Sequence, residues 1–99
     1  MKLTDLEPRW LTPDLFIFRN PTGGRDWLSC KRAPIDRPQY KFFYEKCPDL
    51  IGQPIVGTVS EFCWNFEPNG DFATLTVTPS IDASSSGNWH GFITNGEIK

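Results

Sequence analysis

The apolar and polar positions along the chain change period several times. Leu15-Phe-Ile-Phe18 is an unbroken apolar run bounded by Pro13-Asp14 and Asn20-Pro21, which predicts a buried strand. Pro21-Thr-Gly-Gly24 is a turn, and Trp27–Lys31 returns as the second arm of a hairpin. There Trp27, Ser29 and Lys31 share one face, Leu28 and Cys30 the other. Between Asp36 and Pro48 the period lengthens: Tyr40, Phe43, Tyr44 and Cys47 fall at i, i+3, i+4 and i+7. With Asp36 as cap, Pro38 in the first turn and Lys46 in the last, this predicts a short helix over about 37–47. An aromatic strand over Tyr40–Tyr44 is the alternative there.

Farther on, Ile55–Val59 and Phe62–Phe66 read as strands. Glu67-Pro-Asn-Gly-Asp71 reads as a turn, and Phe72–Thr78 as a half-buried alternating strand ended by Pro79. Ile81 to Asn88 has the composition of a solvated loop. His90–Thr94 follows as a strand, and Asn95-Gly96 turns the chain into a short final strand, Glu97–Lys99. The fold class expected is mainly β: a small antiparallel sheet or sandwich with one short helix, one domain over residues 1–99.

Composition adds an unusual wealth of rings. Four Trp, eight Phe and two Tyr are more than a core of this size is expected to hide, so some should form an exposed patch. Trp27, Tyr40, Tyr44, Trp89 and His90 are the candidates for contact with a protein partner or a second copy of the chain. Charge is uneven: residues 1–46 carry a net +3 and residues 47–99 a net −5. A nucleic-acid surface using Arg32, Arg37, Lys41 and Lys46 is the alternative this raises, although Asp26, Asp36 and Glu45 dilute the basic segment. No apolar run reaches the ~20 residues of a membrane helix. The opening MKLTDLEPRW lacks the apolar core of a secretory signal, so a cytoplasmic location is expected.

Candidate chemistry centres on His90, the only histidine. Cys30, Cys47, Cys63 and His90 are the residues a metal would use, but their spacings of 17, 16 and 27 positions contain no ligand knuckle. Three free thiols and no cofactor are therefore expected. Ser80, Ser84, Ser85, Ser86, Asp82 and His90 supply the elements of a Ser–His–Asp constellation, without the Gly-x-Ser-x-Gly elbow that marks one common version. A histidine hydrogen-bonded beside the core accounts for the same pattern without chemistry.

The segment TLTVTPSIDASSSGNWHGFITNGEI, residues 74–98, resembles the C-terminal part of a family of small phage and prophage proteins designated domain of unknown function 6527, whose members are often labelled "ammonia monooxygenase". The similarity is clearest over residues 62–98. Relatives carry a Cys-Pro-x-Cys knuckle where this chain has Asn20-Pro-Thr-Gly23, so the resemblance brings no metal ligands. It implies a β-rich accessory protein in the host cytoplasm, acting non-enzymatically by binding a host or phage protein, for example to inhibit a host defence. A small metal-binding or hydrolytic domain centred on His90 is the first alternative, and the nucleic-acid binder the second.

Overall fold

The computed structural model describes residues 1–33, 40–56, 62–82 and 89–99, and of residues 40–42 only the backbone. The element order begins with a 3-10 turn, Leu3–Leu6. It continues through β1 (Arg9–Thr12), β2 (Leu15–Arg19), β3 (Trp27–Lys31), α1 (Tyr40–Lys46), β4 (Ile55–Val56), β5 (Val77–Asp82), β6 (His90–Thr94) and β7 (Glu97–Ile98). Two sheets result, one ordered β1-β2-β3-β4 and the other β5-β6-β7. Among the described residues the chain is mainly β with one short helix, as the pattern predicts.

The expected hairpin forms, with Ile17 opposite Ser29 at its centre. Leu15 to Phe18 are all buried, as an apolar run without alternation requires when both faces of a sheet are covered. Phe16, Phe18, Leu28 and Cys30 face a cluster shared with Val77, Ile81 and Ile93 of the smaller sheet. Leu15, Ile17 and Trp27 point the other way, into a cluster with Phe43 and Cys47 at the helix, then Leu50 and Ile55. The larger sheet is thus the middle layer, between the smaller sheet and the helix.

Three sequence expectations are corrected. The larger sheet is mixed, because β4 lies parallel to β3. A helix placed between two neighbouring strands brings the chain back in the same direction. Phe62–Phe66 forms no ladder: the Trp64 N–H donates to the Lys31 carbonyl, whereas Asn65 exchanges both its backbone bonds with Thr78. Neighbouring residues thus bond to different sheets, and the segment bridges them. Finally, β5 starts five residues later than expected and runs through Pro79. Asp71 accepts the Ala73 N–H on its side chain at 2.9 Å and the Thr74 N–H on its carbonyl at 3.0 Å, curling residues 71–74 into a turn. Pro79 is tolerated because β5 is an edge strand whose register shifts between Val77 and Ile81. The predicted beginning of the helix, Asp36 and Pro38, and residues 57–59 of the expected strand lie outside the described residues.

The end of the chain matches its reading closely. Asn95 (φ 49°) and Gly96 (φ 77°) form a two-residue turn with both φ positive, and Thr94 pairs with Glu97 across it. The rings, by contrast, are mostly consumed by packing. Trp10 stacks on Phe72 at 5.0 Å and meets Phe16 edge-on at 5.3 Å. Among the described residues only Met1, Ile51, Phe62 and Phe92 are exposed large apolar side chains.

Candidate active site

The outer face of the smaller sheet gathers the chemistry. Along β5, Val77 and Ile81 are buried, which turns Ser80 and Asp82 outward. Along β6, Gly91 and Ile93 are buried, which turns His90, Phe92 and Thr94 outward. Asp82 and His90 are direct cross-strand partners. Residues so paired hold their Cβ atoms ~4.5–5.5 Å apart on one face, and diagonal neighbours remain within ~7–8 Å. Ser80, two positions back along β5 and within the stretch where the register shifts, lies on the same outward side as Asp82. A hydroxyl, an imidazole and a carboxylate thus share one patch.

Two devices hold this patch in place. Behind β6, a Cβ on Gly91 would fall 2.5 Å from the Trp89 ring. The absent side chain lets the indole lie along its own strand, buried and edge-on to Phe18 at 6.2 Å. Trp89 thereby anchors the strand that presents His90. At the edge of β5, Thr78 is bonded both ways to Asn65, and the Trp64 indole N–H donates to the Ser80 carbonyl at 3.3 Å. This clamp fixes the backbone at Ser80. Phe62, Trp64, Pro79, Ser80 and Asp82 line a groove of about 380 Å³. A second hollow of about 500 Å³ includes Glu67, Asp71 and Thr76 in its lining but offers no imidazole or thiol.

The other expected sites are dispersed. Trp27 is 1% exposed, covered by the guanidinium groups of Arg9 and Arg19 at 5.1 and 5.3 Å, and its indole N–H donates to Gln53. Tyr44 is half-buried and donates its hydroxyl to the Gln53 carbonyl. Together with the buried Trp89, neither offers the open aromatic surface expected for a partner, because each ring is used by the core. His90 is exposed, not tucked beside the core. The Tyr40 side chain lies outside the described residues. Of the basic set, Arg32 is paired with Asp14 at 2.6 Å and Lys46 is exposed. Arg37 and the Lys41 side chain lie outside the described residues.

The conditional metal ligands do not converge. Cys30 and Cys47 belong to clusters on opposite faces of the larger sheet, and His90 faces solvent from the smaller one. No group of three metal-ligating side chains occurs among the described residues. Burial pushes the Cys30 thiol well above its ordinary range. Alkylation at pH 8 is expected to reach the half-exposed Cys63 first. Cys30 and Cys47 should follow at least about a thousandfold more slowly, through the small unfolded fraction. Mass spectrometry over time checks this order, and simultaneous modification of all three would contradict the burial described.

An edge-clamped sheet bearing Ser, His and Asp on one face defines a candidate hydrolase. Residues 24–99 match the model of the family described as "Bacterial ubiquitination-like system serine protease (BubE)", and the chain belongs to that family. No curated protein and no solved structure matches it significantly. The family match corrects the resemblance to the phage proteins labelled "ammonia monooxygenase". With it falls the reading of a non-enzymatic phage accessory protein that blocks a host defence. The hydrolytic alternative fits the family instead. Among the described residues, no helix is long and apolar enough to cross a membrane.

What sequence reasoning missed was the continuation of a strand through Pro79. The signal was present: Ser80 and Asp82 stand two apart, as do His90 and Phe92, the spacing of one strand face. Ending the strand at Pro79 placed Ser80 and Asp82 at or beyond its end and hid the match. Ser84, Ser85 and Ser86 lie outside the described residues.

Proposed function

We propose that this protein is a serine protease of a bacterial ubiquitination-like system, with Ser80 as nucleophile, His90 as general base and Asp82 as the carboxylate that orients His90. The observation that carries this reading is the Asp82–His90 cross-strand pair with Ser80 beside it on the same face. The Ser80 Oγ attacks the carbonyl carbon of a peptide or isopeptide bond as His90 accepts the hydroxyl proton. His90 then gives that proton to the departing amine, leaving an acyl-enzyme. Water, deprotonated by His90, releases the acid and restores the serine. A site on the open face of a sheet, with His90 exposed, suits the chain end or linkage of another protein better than an enclosed small molecule. The partners implied are therefore a ubiquitin-like protein and its conjugates.

A fluorophosphonate probe, which phosphonylates an activated serine with loss of fluoride, tests the assignment. Peptide mapping is expected to find the adduct on Ser80, and His90→Ala should lower the labelling rate by roughly 100-fold or more, the usual worth of a general base. An adduct on Ser84, Ser85 or Ser86 would move the nucleophile. No adduct on any serine would end the reading.

A further inference from the structure

The groove beside Ser80 carries more than the catalytic group. Its walls are the Phe62 and Trp64 rings, packed edge to face at 4.8 Å, and the Pro79 ring. Phe62 is 49% exposed, an apolar surface that the fold leaves uncovered among the described residues. Trp64 is almost wholly buried, and its indole N–H is spent on the Ser80 carbonyl, so the ring is held rigidly and offers only carbon to the groove. The polar members are Ser80 and Asp82, and Asp82 faces His90 across the strands. Phe92, 53% exposed, stands two residues from His90 on the same outward face. Two of the four exposed large apolar side chains among the described residues thus border the site, where a substrate would remove them from water.

We infer that the Phe62–Trp64–Pro79 groove is a specificity subsite that takes one large apolar side chain of the substrate, adjacent to the bond cut at Ser80. The inference rests on the serine-protease reading above. Its size supports a single occupant: about 380 Å³ lies near the lower end of the ~300–1,000 Å³ typical of small-molecule pockets, room for one large residue rather than a folded partner. Its chemistry selects the occupant. Two aromatic rings and a proline ring exclude water from an apolar side chain and present no free donor or acceptor of their own to it. A basic side chain would instead have to compete with His90 for Asp82.

The test uses the full chain and a library of internally quenched peptides varied on both sides of the scissile bond. Wild type is expected to prefer Leu, Met or Phe over Ala at one position by roughly 10- to 100-fold in kcat/KM, the range that hydrophobic pockets reach. Phe62→Ala should flatten that preference, and Phe62→Leu should retain part of it. The melting temperature of each variant verifies folding, because Phe62 is half in solvent. Cleavage with no apolar preference, or a preference unchanged in Phe62→Ala, overturns the subsite and leaves the protease reading intact. A preference for Lys or Arg at that position does the same. Failure of wild type both to cleave any peptide and to label at Ser80 overturns the protease reading, and the subsite with it.

Discussion

Replacing His90 with Ala is expected to lower turnover of a cleavable substrate by on the order of 10⁴- to 10⁶-fold, with the fold intact. The imidazole faces solvent from β6, so its removal opens no cavity, and surface changes of this kind cost about 0.5 kcal/mol or less. For a domain of this size that is a shift of roughly 2–4 °C in Tm. Asp82→Asn should lower turnover by up to about 10⁴-fold, since an amide can hold the ring in the wrong tautomer. The double variant should then be little worse than His90→Ala alone, because the two residues act as one unit. The competing account, a histidine that holds structure, makes opposite demands: a large fall in Tm for His90→Ala and recovery in His90→Gln. Cleavage assays beside thermal melts separate the two. Activity within about tenfold of wild type in folded His90→Ala would remove this residue from the mechanism.

The largest effect on stability is expected at Gly96. Its φ of 77° lies in the left-handed region, and a Cβ there would collide with the Ala73 carbonyl. The obstacle is backbone and cannot rotate away. Gly96 is also tied on both sides: its N–H donates to the Leu75 carbonyl at 2.8 Å, and its carbonyl accepts the Leu3 N–H at 2.8 Å. Moving it therefore disturbs the opening 3-10 turn and the approach to β5 together. Gly96→Ala should cost about 3 kcal/mol or more, through backbone strain and displaced packing combined. The corresponding fall in Tm exceeds about 10 °C. Asn95→Gly, at the neighbouring positive φ of 49°, should change stability far less, because glycine adopts that conformation freely. Thermal melts showing Gly96→Ala within a few degrees of wild type would mean that the turn does not anchor these segments.

Much of the architecture is local information. The unbroken run at Leu15–Phe18 required a strand covered on both faces, and Asn95-Gly96 required a tight turn between strands. Alternation across His90–Thr94 put His90 and Phe92 on one face of β6, but that this face is the outward one came from the structure. Such signals survive in a sequence because each depends on residues only a few positions apart. The parallel return of β4 and the splitting of Phe62–Phe66 between two sheets do not, since both depend on which backbone groups are already occupied elsewhere.

The candidate site divides along the same line. Of its residues only His90 stands out in the sequence, as the one histidine, whereas Ser80 is one of four serines around it and Asp82 one of twelve acidic residues. Pro79 suggested an end to the strand, because proline cannot donate to a ladder. Only the tertiary structure shows that β5 is an edge, where that missing donor costs little, and that its register shifts there so that Asp82 faces His90. The same holds for the rings. Composition counted fourteen of them, but which are spent in the core and which border Ser80 follows from packing between layers that are distant in the chain. Periodicity specifies the faces of one strand. Bringing two faces into register is a property of the sheet, and the chemistry proposed at Ser80 depends on that register.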